Sequence, residues 1–163
     1  MTMKMKFFVR KPIQLLIGAV LIASTVFVSC SKDENNPGDK TYSTTGNSTS
    51  SQMSPSNTST ATGSLSGTYN AKTNVWQYTI NWTNLSATAG LVQVYGPAAA
   101  GVNASLLFPL SITTPGVTGT ASGSVTLTDA QEAILLANNM YYTISSATYT
   151  GGEIRGQITA SAN

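Results

Sequence analysis

The chain has 163 residues, a formal net charge of +2, one cysteine and no histidine. That length holds one domain with a modest core, and a single cysteine excludes an internal disulfide. The lack of histidine excludes Ser-His-Asp triads and imidazole metal sites, and no Lys/Arg patch beyond residue 11 supports nucleic-acid binding.

Lys4, Lys6, Arg10 and Lys11 form a basic start, and residues 13–28 follow as an apolar run. The run is short for a spanning helix and opens the sequence, so it reads as a signal peptide over residues 1–29. It closes in Phe27-Val28-Ser29-Cys30. An apolar residue three before the cysteine and a small one directly before it resemble a bacterial lipobox. The chemistry needs cysteine because its thiol receives the diacylglycerol. Cys30 is therefore the expected lipidation site, and each buried acyl methylene adds about 0.8 kcal/mol of membrane affinity. The alternative is an ordinary secretory peptide with an incidental cysteine. From Cys30 onward four basic residues face six acidic ones, a net of −2. The residue after Cys30 is Ser31, and Lys32-Asp33-Glu34 resembles the short acidic export signal of Bacteroidetes surface lipoproteins. This implies a Gram-negative outer-membrane lipoprotein, surface-exposed or periplasm-facing.

Residues 35–58 are dominated by Asn, Ser, Thr, Gly and Pro, and apolar residues such as Tyr42 and Met53 stand alone. Such a stretch buries too little to offset its ordering entropy. The expectation is a lipidated cysteine and flexible linker over residues 30–58, with a reach of about 25–30 Å.

The domain is then expected over residues 59–163. Residues 60–69 read as a Ser/Thr-rich strand with Leu65 and Tyr69 on one side, and residues 70–74 as a turn. Residues 75–85 form the clearest strand. Trp76, Tyr78, Ile80 and Trp82 alternate with Gln77, Thr79, Asn81 and Thr83, which predicts one core wall; an exposed aromatic platform for sugars is the alternative. Further strands are predicted at 89–95, 105–110, 119–127 and 140–148, with Thr114-Pro115-Gly116 as a turn. Thr128 and Gln131 have capping-box spacing, and Asp129 and Glu132 favour the positive end of a helix dipole, which predicts a short helix to about residue 137. Gly151-Gly152 reads as a two-residue turn with positive φ at both positions, feeding a closing strand over 153–160. In that strand Ile154, Gly156 and Ile158 take one face, and Glu153, Arg155 and Gln157 the other. Glu153 with Arg155 is expected to be either a buried ion pair fixing the strand or an exposed one of about 0–1 kcal/mol. The sum is an all-β antiparallel sandwich, Ig-like or Greek-key, with one short helix.

Two segments carry a family resemblance. Gly96-Pro97-Ala98 after Gln93-Val94-Tyr95, and Gly152-Glu153-Ile154-Arg155-Gly156-Gln157 after the strand through Ser145, resemble motifs of the CHRD (chordin-type) domain. The resemblance spans roughly residues 53–160. Family members tend to carry histidines where this chain has Gln93, Tyr95 and Ser145. Those histidines look able to bind a metal, in an arrangement similar to copper-zinc superoxide dismutase. With all three replaced, no metal and no cofactor is expected, and Tyr95 and Ser145 should lie close together, filling the old site. No catalytic residue is assigned. The function expected is a lipid-anchored, non-enzymatic binding or structural domain of the cell envelope. Its partners would be the membrane, through the lipid, and an extracellular polysaccharide or protein. The alternative is a degenerate superoxide-dismutase-like or hydrolytic domain working through the carboxylates Asp129, Glu132 and Glu153 alone.

Overall fold

The computed structural model describes residues 40–163. The expected signal peptide and Cys30 lie outside the described residues.

Among the described residues the strands are β1 (Thr41–Thr49), β2 (Thr62–Asn70), β3 (Val75–Thr83), β4 (Ala89–Tyr95), β5 (Leu106–Leu110), β6 (Ile112–Thr114), β7 (Gly119–Thr126), β8 (Met140–Ser146) and β9 (Ile154–Ala162), with one helix, α1 (Asp129–Leu136), between β7 and β8. All neighbours pair antiparallel, in the order β5-β4-β8-β9-β1-β2-β3-β7-β6. The expected all-β antiparallel class with one helix is what forms. Only Ser111 separates β5 from β6, yet these strands are the two ends of that order. One residue spans at most about 3.6 Å, so the two edges must meet, and the sheet curls nearly into a barrel. A hydrogen bond from Ala89 N of β4 to Gly116 O, in the loop after β6, at 3.2 Å joins the two ends of the order.

The interior follows from strand periodicity. Trp76, Tyr78, Ile80 and Trp82 of β3 all point inward and are at most 5% exposed, so they are core wall and no sugar platform. They face Val92 and Val94 of β4, Tyr142 and Ile144 of β8, and Ile154 and Ile158 of β9 within one cluster. Both indole N–H groups are satisfied, as burial requires: Trp76 Nε1 donates to Thr44 Oγ1 at 2.9 Å and Trp82 Nε1 to Gly116 O at 3.1 Å. Gly156 is needed opposite Tyr142, because a Cβ there would stand 2.7 Å from the tyrosine ring and 2.8 Å from Asn47 O. The helix is capped as expected, with Thr128 Oγ1 accepting from Gln131 N and the Gln131 side chain accepting from Thr128 N. Leu135 is its fully buried residue.

Three expectations are corrected. Part of the expected linker is structure: β1 sits mid-sheet, paired with β2 and β9, so the domain begins at Thr41 rather than residue 59. Its inward positions include Thr44 and Ser48, both 1% exposed, and Gly46. It is held by two backbone ladders and hydroxyl contacts rather than by large apolar side chains, so hydropathy misreads it as tether. Thr114, expected in a turn with Pro115 and Gly116, instead ends the short edge strand β6. Finally, Gly151-Gly152 is not a two-residue turn. β8 ends at Ser146 and β9 starts at Ile154, and the intervening loop turns on Tyr149 O, which accepts from Ser146 N at 3.2 Å and Gly152 N at 3.1 Å. Gly152 has φ +124°, whereas Gly151 is absent from the positive-φ residues.

Candidate functional site

The motif residues gather on the outer face of β4, β8 and β9. Gln93 lies opposite Thr143, which lies opposite Arg155; one step along, Tyr95 lies opposite Tyr141, which lies opposite Gln157. Alternation puts these rows back to back with Val94, Tyr142 and Gly156 of the interior rows. An outer face ordinarily meets water. Here Tyr141, Thr143, Ser145 and Arg155 are all at most 6% exposed.

Two loops bury them. The loop after β4 begins at Gly96, where an added Cβ would lie 2.9 Å from Asn139 O, so only glycine fits there. Ala98 N then donates to Asn139 O at 2.9 Å, and the loop crosses the sheet to Ala104, whose N–H donates to the Tyr141 hydroxyl at 3.1 Å. The loop after β1 opens with a 3-10 turn, Ser50–Gln52, and carries Met53 over Gly152, where a Cβ would stand 2.6 Å from Met53 Cε. Asn103 Nδ2 donates to Ser54 O at 2.8 Å and ties the two loops together.

The closing strand fastens the first loop from below. Arg155 Nη2 donates to Val102 O at 2.9 Å and Ala99 O at 3.3 Å, and Gln157 Nε2 donates to Ala98 O at 3.0 Å and Asn138 O at 2.8 Å. The two motif segments, far apart in sequence, are thus one hydrogen-bonded unit. The Arg155 guanidinium lies 3.5 Å over the centre of the Tyr141 ring, and Tyr95 stacks with that same ring, with centroids 5.2 Å apart and planes within 8°. A cation over an aromatic face is attracted by the ring quadrupole, the more so when desolvated. Burial, the largest influence, pulls the guanidinium pKa below its ordinary value, and Tyr141 opposes it. A pocket of about 180 Å³ remains between the loops and the sheet, bordered by Ser54, Tyr95, Asn103, Tyr141, Thr143 and Arg155, among others.

Glu153 forms a separate centre. It is fully buried, and its Oε1 accepts from Ser59 Oγ at 2.6 Å and Ser86 N at 2.7 Å, its Oε2 from Ser86 Oγ at 3.0 Å and Ser146 Oγ at 2.5 Å. Burial is the largest influence and pushes the carboxyl pKa up, but the bonds from Ser146, Ser59 and Ser86 together outweigh it, and the pKa lies below its usual value. Among the described residues no ion pair joins Glu153 to Arg155; each makes its hydrogen bonds elsewhere, so both forms of the expected ion pair are corrected. The other two carboxylates are elsewhere. Asp129 is exposed at the start of α1, where it accepts weakly from Asn74 Nδ2 at 3.4 Å. Glu132 is half-buried near Tyr69, whose hydroxyl is raised above its ordinary pKa first by burial and then by Glu132.

The family's histidine positions do not converge as expected. The Tyr95 hydroxyl donates to Gln93 Oε1 at 2.9 Å. Ser145 Oγ instead accepts from Leu91 N at 3.1 Å. Tyr95 pairs with Tyr141, so Ser145 lies four residues further along β8, about 13 Å at 3.3 Å per residue. The metal that the resemblance implies does not fit this donor set. Amide and neutral hydroxyl oxygens are weak ligands for copper or zinc. The charged group beside Tyr95 is a guanidinium, which repels a cation. Among the described residues no group of three His, Cys, Asp or Glu is placed to hold a metal ion.

Sequence reasoning missed Tyr141, Thr143, Ser59, Ser86 and Ser146 as site residues. The Tyr141-Tyr142 pair carried a usable signal, since adjacent tyrosines on one strand must serve opposite faces. The serines carried none, because only the folded loops bring them to Glu153.

A family model described as CHRD domain matches residues 44–158. Neither a curated protein nor a solved structure matches the chain.

Proposed function

This chain belongs to the CHRD domain family, and from that premise we propose that it is a lipid-anchored domain of the cell envelope with a non-enzymatic binding or structural role at the outer membrane or cell surface. The carrying observation is the state of its carboxylates. The degenerate-enzyme alternative would work through the carboxylates Asp129, Glu132 and Glu153. Glu153 has both oxygens occupied by serine and backbone donors, while Asp129 sits exposed on α1. General acid–base work uses groups with separated pKa values converging on a substrate, and Glu153 is engaged apart from the two carboxylates in the first turn of α1. The motif face instead spends its polar groups on holding two loops shut over a pocket. That suits recognition of an extracellular polysaccharide or protein.

Anchoring rests on the sequence: the basic start, the apolar run and Cys30 where the lipobox pattern requires it. A superoxide-dismutase-like form of the degenerate-enzyme alternative would need a bound metal. Elemental analysis of purified protein, with melting measured before and after a chelator, separates the two. The binding reading expects no stoichiometric copper or zinc and an unchanged melting temperature. About one transition metal per chain, lost together with stability on chelation, would overturn it.

A further inference from the structure

Arg155 is 1% exposed, and its Nη1 is buried without a hydrogen-bond partner. Its Nη2 is held by the Ala99 and Val102 carbonyls, and its plane is held by Tyr141. The side chain is therefore fixed, desolvated and half satisfied. The nearest acidic residue in sequence, Glu153, is engaged by Ser59, Ser86 and Ser146. Among the described residues no salt bridge neutralises this guanidinium. A buried cation without a counter-charge is costly, and buried donors in native proteins are ordinarily matched.

Arg155 also lines the pocket between the two loops, of about 180 Å³, with no acidic residue in its lining. That volume equals about six waters at their liquid share, enough for a small organic acid. Thr143 and Asn103 line the same space, and the Asn103 carboxamide gives its Nδ2 to Ser54 O there. With Nη2 engaged, the unpartnered Nη1 is the donor left for an anionic oxygen, and a charge-assisted bond to a carboxylate is the strong match for a guanidinium.

We propose that the pocket between the 50–60 loop and the 96–105 loop is a binding site for a small carboxylate, with Arg155 as its charged anchor. The proposal deepens the binding role stated above and rests on it for its biological meaning, though the site's chemistry is measurable without the anchor. The carboxylate is either free or borne on an acidic sugar; acetate and glucuronate stand for the two sources.

The chain contains two arginines, Arg10 in the leader and Arg155. Arg10→Lys in the full-length chain leaves Arg155 as the sole guanidinium, so arginine-labelled protein gives one set of side-chain nitrogen signals. The titrants are sodium acetate and sodium glucuronate, with sodium chloride at matched ionic strength and glucose as controls. The expected result is a saturable shift of the Arg155 signals with the carboxylates, and no such shift with chloride or glucose. Response to acetate and glucuronate alike places only the carboxylate in the site; response to glucuronate alone assigns the acidic sugar; response to acetate alone assigns the free acid. Signals that do not move with either carboxylate, or that move equally with chloride, overturn the proposal. Thr143→Val serves as a second variant that keeps Arg155 and its loop contacts, and it should weaken the response severalfold. Undiminished affinity in that variant would remove Thr143 from the site. A null titration leaves the anchoring at Cys30 untouched, and an unlipidated protein that still titrates leaves the pocket standing without the envelope role.

Discussion

Replacing Glu153 is the most informative single perturbation of the fold. Its carboxylate joins the 50–60 loop through Ser59, the β3–β4 connection through Ser86 and the end of β8 through Ser146. Hydrogen bonds to a charged group are worth about 1.5–3 kcal/mol each. Ser86 is exposed and its groups can turn to water, whereas Ser146 is 3% exposed and cannot. Counting mainly Ser146 and Ser59, Glu153→Ala should cost about 3–5 kcal/mol. Glu153→Gln keeps the shape, and its new amide N–H groups can donate to the serine hydroxyls after these rotate, so it should cost about 1–2 kcal/mol. At about 4 °C per kcal/mol for a domain of this size, the alanine variant should melt about 12–20 °C lower. The pH dependence has a definite sign. The folded carboxyl pKa is depressed, so its contribution is present above the unfolded value of about 4.3 and is lost as pH falls through the folded value. The gap between wild type and Glu153→Gln should therefore narrow in acid. Thermal melts from neutral to acidic pH measure both effects. An alanine variant that melts with the wild type, or a glutamine variant whose gap stays constant into strong acid, would refute the role given to this carboxylate.

Two further substitutions or truncations test the fold. Gly152→Val should destabilise far more than Gly151→Val: Gly152 has positive φ and meets Met53 Cε at 2.6 Å, while a Cβ on Gly151 meets nothing within 4 Å, and equal melting temperatures would remove the constraint. A fragment starting at Ser54 lacks β1 and should fail to give a cooperative melt, whereas one starting at Lys40 should fold; a cooperative fragment from Ser54 would return residues 41–49 to the linker.

What the sequence made legible follows the strength of its apolar signal. β3 was plain because Trp76, Tyr78, Ile80 and Trp82 repeat every second position, and α1 because Thr128 and Gln131 cap it by local chemistry. β1 is illegible because its inward residues after Tyr42 are small or hydroxylated: Thr44, Gly46 and Ser48. Its place depends on Trp76 Nε1 needing Thr44 and on two neighbouring ladders, neither of which is local. The motif face was half legible. Alternation correctly put Arg155 and Gln157 opposite Ile154 and Ile158, but an outer face reads as solvent until the covering loops are known. The position of Ser145 was misjudged for a related reason: motif spacing gives no strand register, and the register pairs Gln93 with Thr143 instead.

Whether this domain works as an anchored envelope protein is decided most directly by lipid labelling of wild type and Cys30→Ser, followed by fractionation. Cys30 is the only thiol in the chain, and serine has no thiol to receive the lipid. Wild type should incorporate labelled palmitate and sediment with the outer membrane, while Cys30→Ser should be unlabelled and leave that fraction. Equal labelling of the two proteins, or an unlabelled wild type recovered in the soluble fraction, would contradict the anchored role.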